Sequence, residues 1–313
     1  MMISMIKRLL LLFLSAPVLF ALEPIAPLPT HLEDVDIAKA KLGRMLYLDP
    51  ILSSDRNISC HSCHSFDHGS ADPNAVSLGV YGRKGDIQSP PIYNSRYNFK
   101  QFWNGRAKDL KEQLNGPLFN HAEMNMTPEE IEARLNKNLT YQDLFKKIYG
   151  VTPVTIENVA DALVEFEKAL ITPNSRFDRY LRGEIELSPE EEKGYEKFKS
   201  LGCVTCHNGI NIGSNAFQKM GLFIDYPYDK KYQDRFALTK KEIHKNVFKV
   251  PTLRNITLTA PFFHDANATT LEEAIEMMAH YNLGITLSKK DISLLVAFLK
   301  SLEGERPAIL DLP

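Results

Sequence analysis

Apolar residues recur at helical spacing in several segments of this chain, and turns rich in Gly, Pro, Asn and Ser separate those segments. The spacing predicts helices at 37–48, 106–115, 127–137, 140–149, 155–171, 188–198, 270–282 and from Ser288 to about Leu302. Three of them begin with a capping box, in which Thr127, Ser188 or Thr270 precedes a Glu by three residues. The pattern therefore predicts a mainly α fold with little β structure.

The predicted helices divide into two groups. With 313 residues the chain is long enough for two domains of about 150 residues each. The turn at 172–175 is the best boundary and gives units of residues 22–172 and 173–313. We expect the end of the chain to pack back on the first unit. Residues 22–36 are Pro-rich and predict an extended arm, and residues 65–100 predict a long loop of the kind that is often functional.

The overall composition is that of an ordinary globular protein. The chain has 37 Lys and Arg against 39 Asp and Glu, and 44% of its residues are hydrophobic. A near-neutral charge provides no basic surface, so we exclude a dedicated nucleic-acid-binding protein.

The first 21 residues have the pattern of a signal peptide. Lys7 and Arg8 precede an apolar run, and a small residue, Ala21, stands at the expected cleavage point. Ser15 and Pro17 interrupt a stretch that is already shorter than the roughly 20 apolar residues of a membrane-spanning helix. We therefore predict cleavage near Ala21 and an exported protein without a stable membrane anchor.

All four cysteines belong to two copies of the pattern Cys-x-x-Cys-His, the attachment signature of c-type haem. Two thiols about a helical turn apart can add to the two vinyl groups of one porphyrin, and the adjacent His then ligates the iron. A zinc site or a redox-active thiol pair would each require the pattern to recur by accident. The sequence therefore predicts two covalently bound haem c groups, held by Cys60, Cys63 and His64, and by Cys203, Cys206 and His207. A helix precedes each motif: the helix with Gly43 precedes the first motif, and the helix with Gly194 precedes the second. The two units therefore have a faint internal repeat.

Further motifs resemble those of the bacterial di-haem cytochrome c peroxidases, which are related to the di-haem enzymes that mature tryptophan tryptophylquinone. The run at 101–110 (QFWNGRAKDL) is similar to their Phe-Trp-Asp-Gly-Arg-Ala segment. Gly116-Pro117, Glu123-Met124, the segment 250–255 (VPTLRN) and the segment 259–265 (TAPFFHD) follow in the family's order. The resemblance covers most of the chain and implies two packed cytochrome c-like haem domains in the periplasm.

The resemblance implies different roles for the two haems. The C-terminal haem receives electrons, and its family Met ligand aligns with Met278; Met277, His280 and Tyr281 are the alternatives. The N-terminal haem meets peroxide. Many relatives carry a distal His sixteen residues beyond the proximal one, where this chain has Val80. Because Val cannot ligate iron, we predict that this haem is five-coordinate at rest.

The same resemblance implies the remaining site residues. Glu123, with Gln113 beside it, moves protons, and Trp103, the only Trp of the chain, carries electrons between the haems. Arg106 and Arg254 bind haem propionates, since guanidinium groups suit carboxylates.

The family also binds calcium between its domains through an Asn side chain and the carbonyls of a Thr-x-Pro segment. Thr259 and Pro261 match this segment, but Gln88 replaces the Asn. The implied partners are hydrogen peroxide and a small cytochrome c or cupredoxin that donates electrons, and family members often form homodimers. Two alternatives stay open: a related oxidase of a protein or organic substrate, and a non-enzymatic electron-transfer cytochrome.

Overall fold

Helices dominate the computed structural model, which describes residues 23–313. The predicted signal peptide lies outside the described residues. The helices are α1 (Ile37–Leu48), α2 (Cys60–Cys63), α3 (Leu110–Phe119), α4 (Pro128–Leu135), α5 (Leu139–Tyr149), α6 (Ile156–Ala169), α7 (Arg176–Leu181), α8 (Pro189–Ser200), α9 (Arg235–Thr239), α10 (Leu271–Met278) and α11 (Lys289–Lys300). Within residues 23–313, the one sheet pairs β1 (Phe217–Lys219) antiparallel with β2 (Val247–Lys249). The predicted mainly α fold is confirmed.

Two helix pairs organise the structure. In each pair, one helix precedes a Cys motif in the chain and the other follows it. Helix α1 packs on α6, and α8 packs on α11. Both crossings have a glycine at the contact: a Cβ atom at Gly43 would lie 2.0 Å from the Ala162 carbonyl oxygen, and one at Gly194 would lie 2.1 Å from that of Leu294. Distances this short exclude any side chain, so the two glycines set how closely the helices approach.

Each half of the chain forms one apolar core. Each core also contains a residue from the terminal segment of the other half. The first core contains residues of α1, α3, α4, α5 and α6, together with Ile309 from the C-terminal end. The second contains α7, α8 and α11, together with Ile25 from the N-terminal arm. Arg44 fixes the C-terminal end by donating to the carbonyls of Ile309 (2.8 Å) and Leu310 (3.0 Å). Each terminus thus fastens one half to the other.

Thr172, the last residue before the predicted boundary, joins the halves directly. Its hydroxyl oxygen accepts hydrogen bonds from the side chains of Asn94 and Asn255, each at 2.8 Å. Both asparagines have left-handed backbone, with φ of 63° and 57°, a conformation that Asn tolerates better than most residues. The division into domains at 172 stays a prediction.

Two predicted helices differ from the structure. The helix predicted at 106–115 is Leu110–Phe119, because Ala107 is bridged to Gln101 and the Asp109 side chain caps the first turn by accepting from Glu112 N at 2.8 Å. The helix predicted to reach residue 282 changes after Met278 into a π-helical turn, Ala279–Leu283. Such turns are frequent at functional sites. Among residues 23–313, no helix is long and apolar enough to cross a membrane.

Candidate haem sites

The first Cys motif forms a short helix that presents its two thiols one turn apart. Helix α2 begins at Cys60 and ends at Cys63, and the Ser62 hydroxyl accepts a hydrogen bond from the backbone N–H of Ser59 at 3.0 Å. Both cysteines are free thiols. This spacing fits two thioether bonds to one porphyrin.

His64 is oriented for ligation at Nε2. Its Nδ1 atom lies 3.3 Å from the Ser70 carbonyl oxygen, so Nδ1–H donates and the lone pair of Nε2 is left for a metal. Burial lowers the pKa of His64, which favours the neutral imidazole that iron requires. The residues of the first motif therefore fit a haem.

The second motif fits a haem in the same way. Cys203–Thr205 form a 3-10 turn that leads into Cys206, and both cysteines are free thiols. Burial lowers the pKa of His207 to about 4, so the ring is neutral. Gly213 packs closely beside His207. A Cβ atom at Gly213 would lie 2.3 Å from the Pro251 carbonyl oxygen and 3.3 Å from His207 Nδ1.

Glu123 and Val80 are held side by side in the first unit. The Val80 N–H donates to the Glu123 carbonyl at 2.9 Å, and the Val80 side chain is fully buried. The neighbouring Gly79 permits this contact, since a Cβ atom there would lie 1.9 Å from the Ala122 carbonyl oxygen. Burial raises the pKa of Glu123, against the opposing effects of a 2.7 Å hydrogen bond from Asn120 and the charge of Arg106.

Gln113, Arg106 and Phe102 lie in the chain segment before Glu123. The Gln113 Oε1 atom is buried without a hydrogen-bond partner among residues 23–313, as expected of an acceptor that faces a ligand. The Phe102 ring lies against Gly116, and the Arg106 guanidinium lies 3.3 Å from the ring centre. Phe102 was not among the predicted site residues, because its φ of 66°, which turns the ring inward, leaves no signal in the sequence.

Trp103 lies between the two units. Its Nε1–H donates to the Gln88 carbonyl at 2.8 Å. The ring contacts Phe248 edge-on, with centroids 6.3 Å apart, and His264 edge-on at 6.2 Å. Trp103 and Met278 both pack against the apolar cluster of Met220, Tyr226 and Phe248. The predicted bridging residue and the predicted iron ligand therefore border the same cluster.

Met277, Met278 and Tyr281 all pack against this cluster, which is centred on Met220, Tyr226 and Phe248. His280, the fourth candidate ligand, is exposed. The cluster alone does not separate Met278 from its neighbours Met277 and Tyr281.

An internal repeat relates the helix that ends at Met278 to α3. The segments 101–107 and 262–268 each close with a bridge between their first and last residues, and their second residues, Phe102 and Phe263, have φ of 66° and 71°. Helices α3 and α10 then begin three residues later, at Leu110 and Leu271. Met278 is the eighth residue of α10 and is equivalent to Pro117 in α3. The first unit therefore has no ligand atom where the second has a thioether.

The structure engages Arg254 mainly with protein groups. Its guanidinium forms a buried ion pair with Asp178 (2.9 Å) and donates to the carbonyls of Ile210 (2.7 Å) and Ala26 (3.0 Å). This network fastens the N-terminal arm to the second unit. It leaves little of the guanidinium for the predicted propionate.

Two of the three residues predicted for calcium are buried. Gln88 is 3% exposed and Thr259 is 5% exposed, and Thr259 precedes the Ala260–Pro261 pair. The Gln88 backbone N–H donates to the His264 carbonyl at 3.0 Å. Residues 23–313 contain no cluster of three or more His, Cys, Asp or Glu side chains that could hold a metal, so carbonyl and amide oxygens would have to supply the ligands.

The chain is similar to known proteins over most of its length. Residues 37–186 match the family model for di-haem cytochrome c peroxidase. The chain is 45% identical to cytochrome c551 peroxidase of Nitrosomonas europaea, over 95% of this chain and 89% of that protein. It is 38% identical to cytochrome c551 peroxidase of Pseudomonas aeruginosa, over 92% and 85%.

A solved structure has the same fold. The crystal structure of a MauG-like protein associated with microbial copper homeostasis superimposes with a TM-score of 0.79 at 27% identity, covering 90% of this chain and 93% of that one. The predicted family and fold are confirmed. The chain belongs to the di-haem cytochrome c peroxidase family, and it is an enzyme of that family.

Proposed function

We propose that this chain is a periplasmic di-haem c-type peroxidase that reduces hydrogen peroxide to water with electrons from a small cytochrome c or cupredoxin. The observation that carries the proposal is the position of Glu123. Its carboxyl group has a raised pKa, and its backbone carbonyl accepts a hydrogen bond from Val80, whose side chain cannot ligate iron, in the unit of the first Cys motif. Its relatives are named as cytochrome c peroxidases, which supports the substrate and the donor class.

The cysteine and histidine residues that hold the haems follow from the two motifs, and Met278 follows from the resemblance to the family. Cys60, Cys63 and His64 hold one haem, and Cys203, Cys206, His207 and Met278 hold the other. Bound haem iron supplies the redox chemistry of peroxide reduction, and a thioether ligand raises the potential of the second haem. Residues 1–21 direct export, and Gln88, Thr259 and Pro261 are the proposed calcium residues. We also propose a homodimer, by analogy with the family.

Glu123 moves the protons. Cleavage of the O–O bond of hydrogen peroxide needs a proton to move from one oxygen atom to the other. The oxygen that receives the proton departs as water. A buried carboxyl group with a raised pKa accepts and returns a proton near neutral pH more readily than an ordinary Glu. Asn120 holds its Oε1 atom at 2.7 Å, and Gln113 Oε1 provides a fixed acceptor for a peroxide O–H group.

A spectrum of the oxidised protein tests the proposal. Val80 and Pro117 offer no ligand atom. The electron paramagnetic resonance spectrum of the as-isolated protein should therefore contain a high-spin five-coordinate signal and a low-spin His/Met signal, and the two should integrate to equal spin concentrations. Two six-coordinate signals would support the electron-transfer cytochrome. A Tyr-ligated second haem with slow peroxide turnover would support the oxidase of a protein or organic substrate.

The donor should dock on an apolar surface above the Met278 turn. Leu222, Phe223 and Ile224 are 50%, 68% and 39% exposed. The N–H groups of Phe223 and Ile224 donate to the Tyr281 carbonyl at 3.0 and 3.1 Å, so the surface is tied to the π-helical turn that follows Met278. Exposed aromatic anchors dominate the energetics of many interfaces.

Phe223→Ser should therefore raise the KM for the donor protein by about tenfold, corresponding to about 1.4 kcal/mol, with kcat for a small artificial reductant unchanged. Leu139→Ser is the matched control, because Leu139 is 75% exposed on α5 in the first unit. An unchanged KM in Phe223→Ser would place donor docking elsewhere.

A further inference from the structure

Lys249 is a buried cation at the junction of the two units. It is the last residue of β2 and is 7% exposed. Within residues 23–313, its ammonium forms neither an ion pair nor a side-chain hydrogen bond, and burial alone lowers its pKa to about 8. Most of the population is therefore charged at neutral pH. A largely buried charge without a partner is unfavourable, so an anion at this site would stabilise the ammonium.

No charged side chain among residues 23–313 offsets the burial of Lys249. Its cross-strand partner is Phe217, and the Arg235 guanidinium lies 3.8 Å from the centre of the Phe217 ring. Arg235 also donates to the Asn104 carbonyl at 3.2 Å, beside Trp103. The missing partner of Lys249 must therefore be an anion that the fold admits to this junction.

Lys249 adjoins the predicted second haem site. Its backbone N–H donates to the Trp103 carbonyl at 2.6 Å, and Trp103 and Met278 pack against the same cluster. Two residues later, the Pro251 carbonyl borders the pocket of His207, where Gly213 leaves no room for a Cβ atom. Every haem c carries two propionate carboxylates, which are the anions that the proposed function brings to this region.

We propose that the Lys249 ammonium binds a propionate carboxylate of one of the two haems. The inference rests on the proposed haem binding. A fixed cation beside a haem favours the reduced state, which carries one more negative charge, so Lys249 raises the reduction potential of the haem whose propionate it binds.

Redox potentiometry of the holoprotein tests this pairing, with the two haems resolved by their optical spectra. Lys249→Gln removes the charge, and we expect one midpoint potential to fall. Lys249→Arg restores a cation and should return that potential towards the wild-type value. Lys219→Gln is the matched control, because Lys219 lies in β1 of the same sheet and pairs with Asp225 at 2.9 Å on the surface; both of its potentials should equal those of the wild type.

Haem content separates the outcomes. Pyridine haemochrome absorption should give two haems per chain in wild type and variants. If Lys249→Gln keeps both haems and both wild-type potentials, the pairing is wrong. If that variant fails to fold or to retain haem, a crystal structure of the wild-type holoprotein decides: Nζ farther than about 4 Å from every propionate oxygen overturns the pairing. Wild-type protein without haem would contradict the proposed function itself.

Discussion

Replacement of Glu123 by Gln is expected to lower peroxide turnover by about 10²–10⁴-fold, the usual contribution of a positioned general acid–base group. Gln can still accept the 2.7 Å hydrogen bond from Asn120 through its amide oxygen, so the pocket should keep its shape. An amide cannot exchange a proton near neutral pH. The measurement is steady-state peroxide reduction with a pre-reduced donor, together with haem spectra that report an unchanged resting state.

Glu129→Gln is the control for this loss. Glu129 is exposed in the first turn of α4, so the same chemical change there should leave turnover at the wild-type rate. Wild-type turnover in Glu123→Gln, with both haems in place, would show that another group moves the protons.

Gly194→Ala is expected to destabilise the protein, although Ala favours a helix over Gly by about 0.8–1.0 kcal/mol. The added Cβ would lie 2.1 Å from the Leu294 carbonyl oxygen and 2.8 Å from the Phe298 Cβ. Backbone atoms cannot rotate away, so α8 and α11 must separate. Overpacking of this kind costs about 1–3 kcal/mol. Thermal unfolding of the holoprotein should show a lower Tm than the wild type.

Lys193→Ala provides the comparison within α8. Lys193 is exposed one residue before Gly194, so its replacement should change the free energy of unfolding by less than about 0.5 kcal/mol. A Gly194→Ala variant as stable as the wild type, or more stable, would mean that the close approach of α8 and α11 does not contribute to the stability of the fold.

Local sequence signals predicted the helices well. Thr127, Ser188 and Thr270 form the capping boxes that the pattern indicated, each with the Glu three residues later. A capping box depends on four consecutive residues, so the sequence contains all of it. The predicted start of α3 was too early in the chain. The residues before it suit a helix by composition, but the bridge between Gln101 and Ala107 holds them in an extended pair.

The site was predictable where chemistry depends on spacing. The two Cys-x-x-Cys-His motifs specify both attachment sites, since thiols and imidazole come from five consecutive residues. Glu123, Gln113, Trp103 and Met278 needed the resemblance to a family, because no local pattern distinguishes them from ordinary surface or core residues.

Most helices, the two Cys-x-x-Cys-His motifs and the family could be recognised in the sequence. Only the tertiary structure showed that Pro117 is equivalent to Met278, that Phe102 turns inward at φ 66°, and that Lys249 lies buried beside the Trp103 carbonyl. The physical reason is distance along the chain. Helix formation and haem attachment depend on neighbouring residues. The equivalence of Pro117 and Met278, the orientation of Phe102 and the burial of Lys249 are defined by contacts between segments far apart in sequence.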